Sequence, residues 1–393
     1  MLVRKNWVIY MQFQGKRVLI LEGYARQSLA LVQAFNKLSC NVSVLCGSKL
    51  DLCYWSRYVN KRILGICDRD LVKETEEQVR MLIQSHDYDV VVPATDFSAE
   101  LLSRNKDEFS KYARIASNEF NVYSIAGNKN ETMKVCESIG VPHPKTLQNI
   151  ESVEAIEESD IRFPVVIKPS VGYGAIGFKK VDTLEDLKES FKNKTDFSNY
   201  VIQEYIPQTD LQYECAMFLD DNNEVKTSLV FSKNRWFPVN GGSSTLNITV
   251  LRPDIVDSCT KLLKAINWRG PADIDLIQDP RDGKAKIMEI NPRVSGSVKI
   301  CFLSGVDQAK QMLELAYHEK VTHFKEYKIG QRLRCSQTDF LWFLTSPNRF
   351  NSNPSWFSCR NTSDQIFDIH DPLPWFSFSI QKLLQLRKEL KKR

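Results

Sequence analysis

The stretch KIMEINPRVSG, residues 286–296, has the length and apolar spacing of a buried strand, yet it contains a carboxylate and an amide. Side chains alternate across a strand, so Glu289 and Asn291 are predicted to share one face, with Met288 and Ile290 on the other. Acidic and amide residues are depleted in strand interiors. The pattern therefore predicts a strand whose polar face has a chemical use.

A second acidic strand precedes this one. The segment ADIDLIQ, residues 272–278, has Asp273 and Asp275 at alternate positions, and the short turn DPRDG joins it to the strand that contains Glu289. A short turn makes the two strands antiparallel neighbours, so their oxygen-bearing side chains should form one patch. Such oxygens suit Mg²⁺, which takes one or two carboxylates together with phosphate oxygens and water. The alternative is an antiparallel sheet with one solvated polar face.

A glycine-rich loop supports the first interpretation. The segment SVGYGAIG, residues 170–177, has three glycines and begins two residues after Lys168. A dinucleotide-binding fingerprint would require this loop to open a helix, but FKKV continues as a strand. A glycine loop between two strands can instead place its backbone N–H groups over phosphates, with a lysine nearby. The absence of H-R-D and D-F-G motifs disfavours a protein kinase, and a flexible hairpin is the structural alternative.

The rest of the chain predicts an α/β fold with several domains. Strands and helices alternate over the first third, which is typical of a parallel sheet covered by helices. A helix over residues 128–139 ends at Gly140 and marks a boundary. We expect an N-terminal α/β domain over 1–125, a linker helix and lid over 126–210, a core with the metal site over 211–320, and a C-terminal extension over 321–393.

Composition and charge narrow the function class. The net charge of the 393-residue chain is +5, with 53 basic and 48 acidic residues spread along it, so nucleic acid is not an expected partner. The ten cysteines show no disulfide or metal spacing and indicate a reducing, cytoplasmic location. No apolar run approaches the ~20 residues of a membrane span, and we expect no signal peptide.

Taken in order, the motifs resemble the ATP-grasp superfamily. Asn128-Lys129, VVIKPSVGYGAIG, VIQEYI, ADIDLIQDPRDG and IMEINPRVSGS follow one another between residues 128 and 297. They are especially similar to the carbamoyl-phosphate synthetase-like and carboxylate–amine ligase branches, where a closing E-x-N-P-R-V-S is typical. The resemblance implies an ATP-grasp fold with an α+β lid and core, preceded by a Rossmann-like pre-ATP-grasp domain.

The resemblance also implies a role for each matching residue. Two lysines would hold the nucleotide phosphates under a glycine lid, the QEYI segment would face adenine, and an acidic residue would lie near the ribose. The implied nucleotide-binding residues are Lys129, Lys168, Ser170, Gly172, Gly174, Gly177, Gln203, Glu204, Tyr205, Ile206 and Glu214. The implied ligands of Mg²⁺ or Mn²⁺ are Asp275, Glu289 and Asn291.

Arginines complete the implied site. Arg293 would contact the reacting phosphoryl and acyl groups. Arg235, at the start of RWFPVNGGSS, either meets the γ-phosphate or the substrate carboxylate or belongs to a turn set by Gly241 and Gly242. Together with Lys168, these two arginines are the predicted catalytic residues.

The implied function is an ATP- and Mg²⁺-dependent ligase that activates a carboxylate as an acyl phosphate and joins it to an amine, either an amino acid or an amino sugar. One alternative is a subunit of a carboxyphosphate- or carbamoyl-phosphate-type synthetase. Another is a non-catalytic nucleotide-binding regulatory protein, which the intact Lys168, Glu289, Asn291 and Arg293 argue against. The partners are then small-molecule substrates, and pairing into a homodimer is common among similar proteins.

The C-terminal segment WFSFSIQKLLQLRKELKKR, residues 375–393, predicts a basic amphipathic helix. Such a helix can lie on an anionic membrane surface. We favour the plainer interpretation, in which the helix packs back on the protein and its basic end is solvated.

Overall fold

The computed structural model describes residues 12–148, 150, 152–157, 159–172, 177–192, 197–207, 211–239 and 241–391. Three β-sheets of five, three and seven strands organise these residues. The mixed α/β architecture predicted from the sequence is confirmed.

The N-terminal sheet is parallel, in the order β3-β2-β1-β4-β5. The strands are β1 (Arg17–Ile20), β2 (Asn41–Cys46), β3 (Lys61–Leu64), β4 (Val90–Val92) and β5 (Arg114–Ile115). The helices between and after them are α1 (Arg26–Lys37), α2 (Val72–Gln84), α3 (Asp96–Arg104), α4 (Lys106–Phe109) and α5 (Phe120–Gly127). The strand order reverses between β1 and β4, and at such a switch point the strand ends leave a crevice. The carboxyl end of β4 leads into α3, which reaches the site described below.

The central part carries the glycine loop. It contains α6 (Lys129–Ser138), α7 (Val153–Glu157), β6 (Val165–Pro169), β7 (Lys179–Val181), α8 (Leu184–Phe191) and β8 (Tyr200–Glu204). The sheet is antiparallel in the order β7-β6-β8, so the loop joins two neighbouring strands. Gly177 has φ of 77°, and a Cβ there would lie 2.9 Å from the Pro169 ring, so this position requires glycine. Gly174 lies outside the described residues.

The seven-stranded sheet forms the core, in the order β13-β12-β9-β10-β11-β14-β15. Its strands are β9 (Gln212–Leu219), β10 (Val225–Phe237), β11 (Ser243–Val250), β12 (Gly270–Gln278), β13 (Ala285–Asn291), β14 (Arg332–Arg334) and β15 (Thr362–Asp364). The accompanying helices are α9 (Pro253–Ala265), α10 (Lys299–Leu303), α11 (Gln308–Ala316), α12 (Ser336–Thr345) and α13 (Leu373–Lys391). The segment after residue 320 therefore contributes two strands to the core sheet.

One hydrophobic core links the N-terminal sheet, the core sheet and the C-terminal segment. It contains Phe35 of α1, Phe218 of β9, Leu333 of β14 and Phe378 of α13. Polar contacts follow the same seam, because the Asp371 carboxylate accepts hydrogen bonds from Ser56 Oγ at 2.5 Å and from the Arg57 backbone at 2.9 Å. The C-terminal segment thus links the N-terminal domain to the core sheet.

Arg235 belongs to this packing, and its predicted contact with phosphate or substrate is corrected. Its guanidinium donates to Asp339 on α12 at 3.0 Å and to the Pro354 carbonyl at 2.6 Å, and both members of the ion pair are buried. The register of β10 against β11 shifts around Arg235, where the side chain turns toward α12. The alternative interpretation fits better, because β10 and β11 form a hairpin in which Gly242 lies against the Phe237 backbone.

We predict that Asp339→Leu lowers the free energy of unfolding by about 3–5 kcal/mol, because it leaves a buried arginine without its counter-charge. Urea unfolding followed by circular dichroism measures the change. The double variant Arg235→Met/Asp339→Leu should recover most of the loss. The exposed pair of Lys61 and Asp87 provides the control, since Asp87→Asn should cost less than about 1 kcal/mol. A loss below that value for Asp339→Leu would contradict the structural role.

Candidate active site

Three carboxylates lie in a row across three neighbouring strands of the core sheet. Asp275 on β12 is the direct cross-strand partner of Glu214 on β9 and of Glu289 on β13. Like charges directly opposite one another on a sheet are destabilising. The row therefore requires cations to stabilise it, and their positions define the site.

A β-bulge determines which side chains of β13 face this row. Asp275 pairs with Glu289, but the next residue of β12, Leu276, pairs with Ile287, so Met288 is an extra residue. Ile287 and Ile290 consequently both enter the hydrophobic core, while Glu289 and Asn291 face the cleft. The predicted alternation holds from Glu289 to Asn291 and is wrong at Met288, which is half-buried outside that core.

Two lysines from different elements neutralise the row. Lys233 on β10 lies between the first two carboxylates, with its Nζ 2.8 Å from Glu214 Oε1 and in contact with Asp275 Oδ1. Lys129, the first residue of α6, places its Nζ 3.0 Å from Glu289 Oε2 and donates to the Gly172 carbonyl at 3.0 Å. The second lysine therefore joins the glycine loop to the carboxylate row.

The charges at the site shift one another's proton affinity. Burial alone would lower the pKa of Lys233, but Asp275 and Glu214 raise it above its usual value. Burial alone would raise the pKa of Asp275, but Lys233 and a hydrogen bond from Asn291 lower it. Lys168 behaves differently, because burial lowers its pKa to about 8 despite the attraction of Glu289 and Asp275. The site thus contains a lysine whose pKa is lowered by burial, and a bound anion would raise it.

Arg293 lies where the core sheet meets the N-terminal domain. Its guanidinium donates to Asp273 Oδ2 at 3.1 Å and to Asn291 Oδ1 at 2.8 Å, and its Nε is 3.4 Å from Asp96 Oδ2. Burial would lower its pKa, but Asp96 and Asp273 raise it, so the arginine stays charged. Asn291 extends the network by donating to Asp275 Oδ2 at 3.1 Å. Asp96 of the N-terminal domain therefore helps to orient Arg293 of the core.

The segment predicted to read adenine is held by protein groups. Gln203 is buried and donates to Thr146 Oγ1 at 2.7 Å. The Glu204 carboxylate accepts from the Lys145 backbone at 2.9 Å and pairs with Arg281 at 2.7 Å and Lys286 at 3.1 Å.

These bonds have two consequences for Glu204. Burial would raise its pKa, but the hydrogen bonds lower it, so the carboxylate is ionised. Contact between Glu204 and the adenine base stays a prediction, and the structure places Arg281 and Lys286 beside this carboxylate.

One cavity opens beside the Glu289 end of the carboxylate row, and a second lies beside Arg293. The first, of about 200 Å³, is lined by Lys129, Gly172, Glu289 and Asn291 together with Asp96 and neighbouring residues of α3 and α5. The second, of about 390 Å³, also includes Pro292 and extends between β5 and the start of β12. The cleft therefore has room for a substrate beyond a phosphate group.

The donor set fits a metal–nucleotide complex better than a bare metal ion. No group of three histidine, cysteine, aspartate or glutamate side chains among the described residues is arranged to hold a metal. Asp275 and Glu289 already bind lysine ammonium groups, which a triphosphate could draw away. Two carboxylates and an amide beside phosphate oxygens are the ligands that Mg²⁺ prefers. Asp275, Glu289 and Asn291 would hold the ion when the nucleotide is present.

Some of these residues were missed by sequence reasoning. Lys233 follows Leu229 and Phe231 at alternate positions of β10, and strand alternation along residues 229–233 could have placed it on the face of Glu214. Asp96 and Arg281 gave no such signal, because the site residues they contact, Arg293 and Glu204, lie far away in the sequence.

Comparison with known proteins identifies the domain. Residues 126–297 match the family model described as an ATP-grasp domain, and the chain therefore carries an ATP-grasp domain over those residues. This confirms the resemblance seen in the sequence. Among the residues that the structure describes, no helix is long and apolar enough to cross a membrane.

Particular relatives agree with this assignment. The chain is 27% identical to D-aspartate ligase of Enterococcus faecium over 285 residues, which cover 66% of this chain and 67% of the ligase. It is 23% identical to the carbamoyl phosphate synthase large chain of Caldanaerobacter subterraneus over 53% of this chain, but that match spans only 20% of the synthase.

A solved structure shows the same fold. The biotin carboxylase domain dimer of 2-oxoglutarate carboxylase from Hydrogenobacter thermophilus, in complex with MgADP, ADP and bicarbonate, has a TM-score of 0.67. It is 17% identical and the match covers 81% of this chain and 73% of that domain. The likeness extends well beyond the ATP-grasp domain itself.

We predict that nucleotide binding takes up a proton near pH 8.5, because phosphates will raise the lowered pKa of Lys168. Above about pH 8, the affinity for MgADP should fall with pH by up to about tenfold per unit. Isothermal titration calorimetry in buffers of different ionisation enthalpy counts the protons. Lys168→Arg should bind without proton uptake, since arginine stays charged. Equal uptake in both proteins would contradict the assignment.

We also predict that Mg²⁺ alone raises the melting temperature very little, whereas MgADP raises it by several degrees. The physical reason is that lysines compete with the bare ion for Asp275 and Glu289, and a nucleotide releases them. Thermal unfolding with Mg²⁺, ADP or both measures the difference, since a ligand stabilises in proportion to its occupancy. A full shift with Mg²⁺ alone would mean that the carboxylates form an independent metal site.

Proposed function

We propose that this chain is an ATP- and Mg²⁺-dependent carbon–nitrogen ligase that activates a carboxylate as an acyl phosphate and joins it to an amine. The observation that carries this proposal is the clustering of four cations around the carboxylates of the site. Lys129 and Lys233 pair with the carboxylate row. Arg293 pairs with the neighbouring Asp273, and Lys168 is attracted by Glu289. The ATP-grasp domain and the ligases among its relatives support the same activity.

The proposed roles follow from the charge problem of the reaction. A carboxylate that attacks the terminal phosphate of ATP brings one anion toward another, so the site must supply positive charge. Lys129 and Lys168 would hold the phosphates beneath the loop of Ser170, Gly172 and Gly177, and Arg293 would face the reacting groups. Bound Mg²⁺ would neutralise phosphate charge and orient the transferring group.

The second half of the reaction depends on excluding water. An acyl phosphate hydrolyses readily, and a glycine loop that closes over the phosphates would protect it. The amine then attacks the acyl carbon, the bond to the phosphate oxygen breaks, and an amide and inorganic phosphate result. Glu204, Tyr205 and Ile206 would face the adenine and Glu214 would lie near the ribose, so the nucleotide would span from β8 to the carboxylate row.

The substrates are small molecules, and we propose an amino acid as one of them. The relative named D-aspartate ligase supports this choice, and D-aspartate is the first amino acid to test, both as the carboxylate and as the amine. An amino sugar is the second acceptor class that the resemblance implies.

A carboxyphosphate- or carbamoyl-phosphate-type reaction is the competing activity. The carbamoyl phosphate synthase relative and the bicarbonate-bound structural neighbour favour testing it. A bicarbonate-dependent release of phosphate without an added organic acid would identify this activity. A nucleotide-binding regulatory protein would instead bind MgADP and release no phosphate with any substrate pair.

We propose a homodimer working in the cytoplasm. The structural neighbour is described as a dimer, and all ten cysteines of this chain are free thiols, as in a reducing compartment. Contact of the C-terminal helix with a membrane surface is a separate proposal that rests on that helix alone.

The decisive experiment is a screen for phosphate release in which carboxylates are crossed with amines in the presence of MgATP. Mass analysis of the positive pairs then identifies the amide product. Phosphate release that requires both substrates, together with a product mass equal to their condensation, supports the proposal. Release that requires neither amine nor organic acid would refute it.

We predict that Glu289→Ala lowers ligation by at least about 10²–10³-fold while the protein stays folded, since a group at the phosphate site is lost. Glu289→Gln should lose nearly as much, because it keeps the shape but not the charge. The control is Asp257→Ala, on an exposed site of α9, which should keep full activity. Activity of Glu289→Ala within a few-fold of the parent would mean that the metal assignment is wrong.

A further inference from the structure

The net positive charge of this protein arises from its C-terminal segment. Residues 373–393 contain six basic residues and one acidic residue, a formal charge of +5 that equals the net charge of the whole chain. The preceding 372 residues are therefore balanced, with as many acidic as basic side chains. The basic residues are Lys382, Arg387, Lys388, Lys391, Lys392 and Arg393.

One side of α13 packs on the protein. Phe378 is buried in the main core, and Ser377 Oγ and Gln381 Nε2 both donate to the Leu50 carbonyl, at 2.5 and 2.6 Å. The Trp375 indole donates to Ser336 Oγ at 3.0 Å. The first half of the helix is thus held in place against the N-terminal domain and α12, as the favoured sequence interpretation expected.

The other side of α13 carries an exposed apolar stripe. Phe376, Ile380, Leu383 and Leu384 follow the i, i+4, i+7, i+8 spacing of one helix face, and all four are exposed. Ile369, in the loop before the helix, is 77% exposed. Clustered exposed apolar residues of this kind mark interaction sites on proteins.

We propose that this stripe, defined as Phe376, Ile380, Leu383 and Leu384, docks on an anionic lipid surface. The basic residues that follow it supply the electrostatic attraction, and the stripe supplies the apolar contact. Neither signal alone anchors a protein stably, but a helix with both binds reversibly at the interface between headgroups and acyl chains. Because Phe378 and Ser377 hold the helix from behind, the stripe is presented outward without refolding.

Charge decides between the occupants that an apolar stripe could have. A second copy paired through this stripe would bring two +5 segments together, which like-charge repulsion opposes. Nucleic acid would complement the charge, yet contacts with its phosphate backbone do not bury an apolar stripe. An anionic bilayer matches both the charge and the apolar face. The stripe includes none of the proposed site residues, so docking leaves the basal reaction intact.

The test is co-sedimentation of the full chain with vesicles of phosphatidylcholine alone or mixed with phosphatidylglycerol. The parent protein should pellet with the mixed vesicles at low salt and be released at high salt, because screening weakens the attraction. Ile380→Ser/Leu383→Ser and Lys391→Glu/Lys392→Glu should each lower the partition coefficient by about tenfold or more. Leu251→Ser, a change at a 72% exposed residue between β11 and α9, is the matched control and should bind as the parent does.

Several results would overturn the proposal. Equal binding to both kinds of vesicle, or binding that the stripe variants leave unchanged, would refute it. Light scattering that shows a dimer lost in Ile380→Ser/Leu383→Ser, without vesicle binding by the parent, would assign the stripe to a second copy. Retention on nucleic acid but not on vesicles would assign the basic segment to that partner. Nucleotide binding by each variant verifies that it is folded.

Discussion

Repulsion among Glu214, Asp275 and Glu289 is the constraint on which the candidate site depends. The three carboxylates are direct cross-strand neighbours, and the sheet can keep them together only if cations lie between them. Lys233 and Lys129 do so in the described state. In the proposed function, a triphosphate with its metal would exchange partners with the lysines and preserve the charge balance.

The cations come from the central part of the fold and from the core, so the site exists only when these two parts pack together. Lys129 begins α6 and Lys168 lies on β6, both in the central part, whereas Lys233 lies on β10 of the core sheet. Asp96 adds a contact from the N-terminal domain to Arg293. The C-terminal segment closes the assembly through its own strands and through the buried pair of Arg235 and Asp339, which gives that arginine a structural role.

Much of the fold could be read from local patterns, and the failures have identifiable causes. Strand alternation and the short turn predicted β12 and β13 and their acidic face, because side-chain period and turn length are local properties. The bulge at Met288 and the register shift near Arg235 were not predictable in this way, since both arise from pairing with a neighbouring strand. Lys233, two residues before Arg235, was not recognised as a site residue from the sequence. The roles of the nucleotide-binding and metal-binding residues remain predictions.

Local patterns alone specify the kinds of chemistry available: carboxylates and an amide on adjoining strands, a glycine loop after a lysine, and a C-terminal helix that carries the chain's whole excess of positive charge. The packing of distant segments sets which charges meet, lowers the pKa of Lys168, and leaves one side of α13 exposed. The physical reason is that composition and periodicity are properties of a segment, whereas desolvation and ion pairing depend on groups that folding brings together from distant segments.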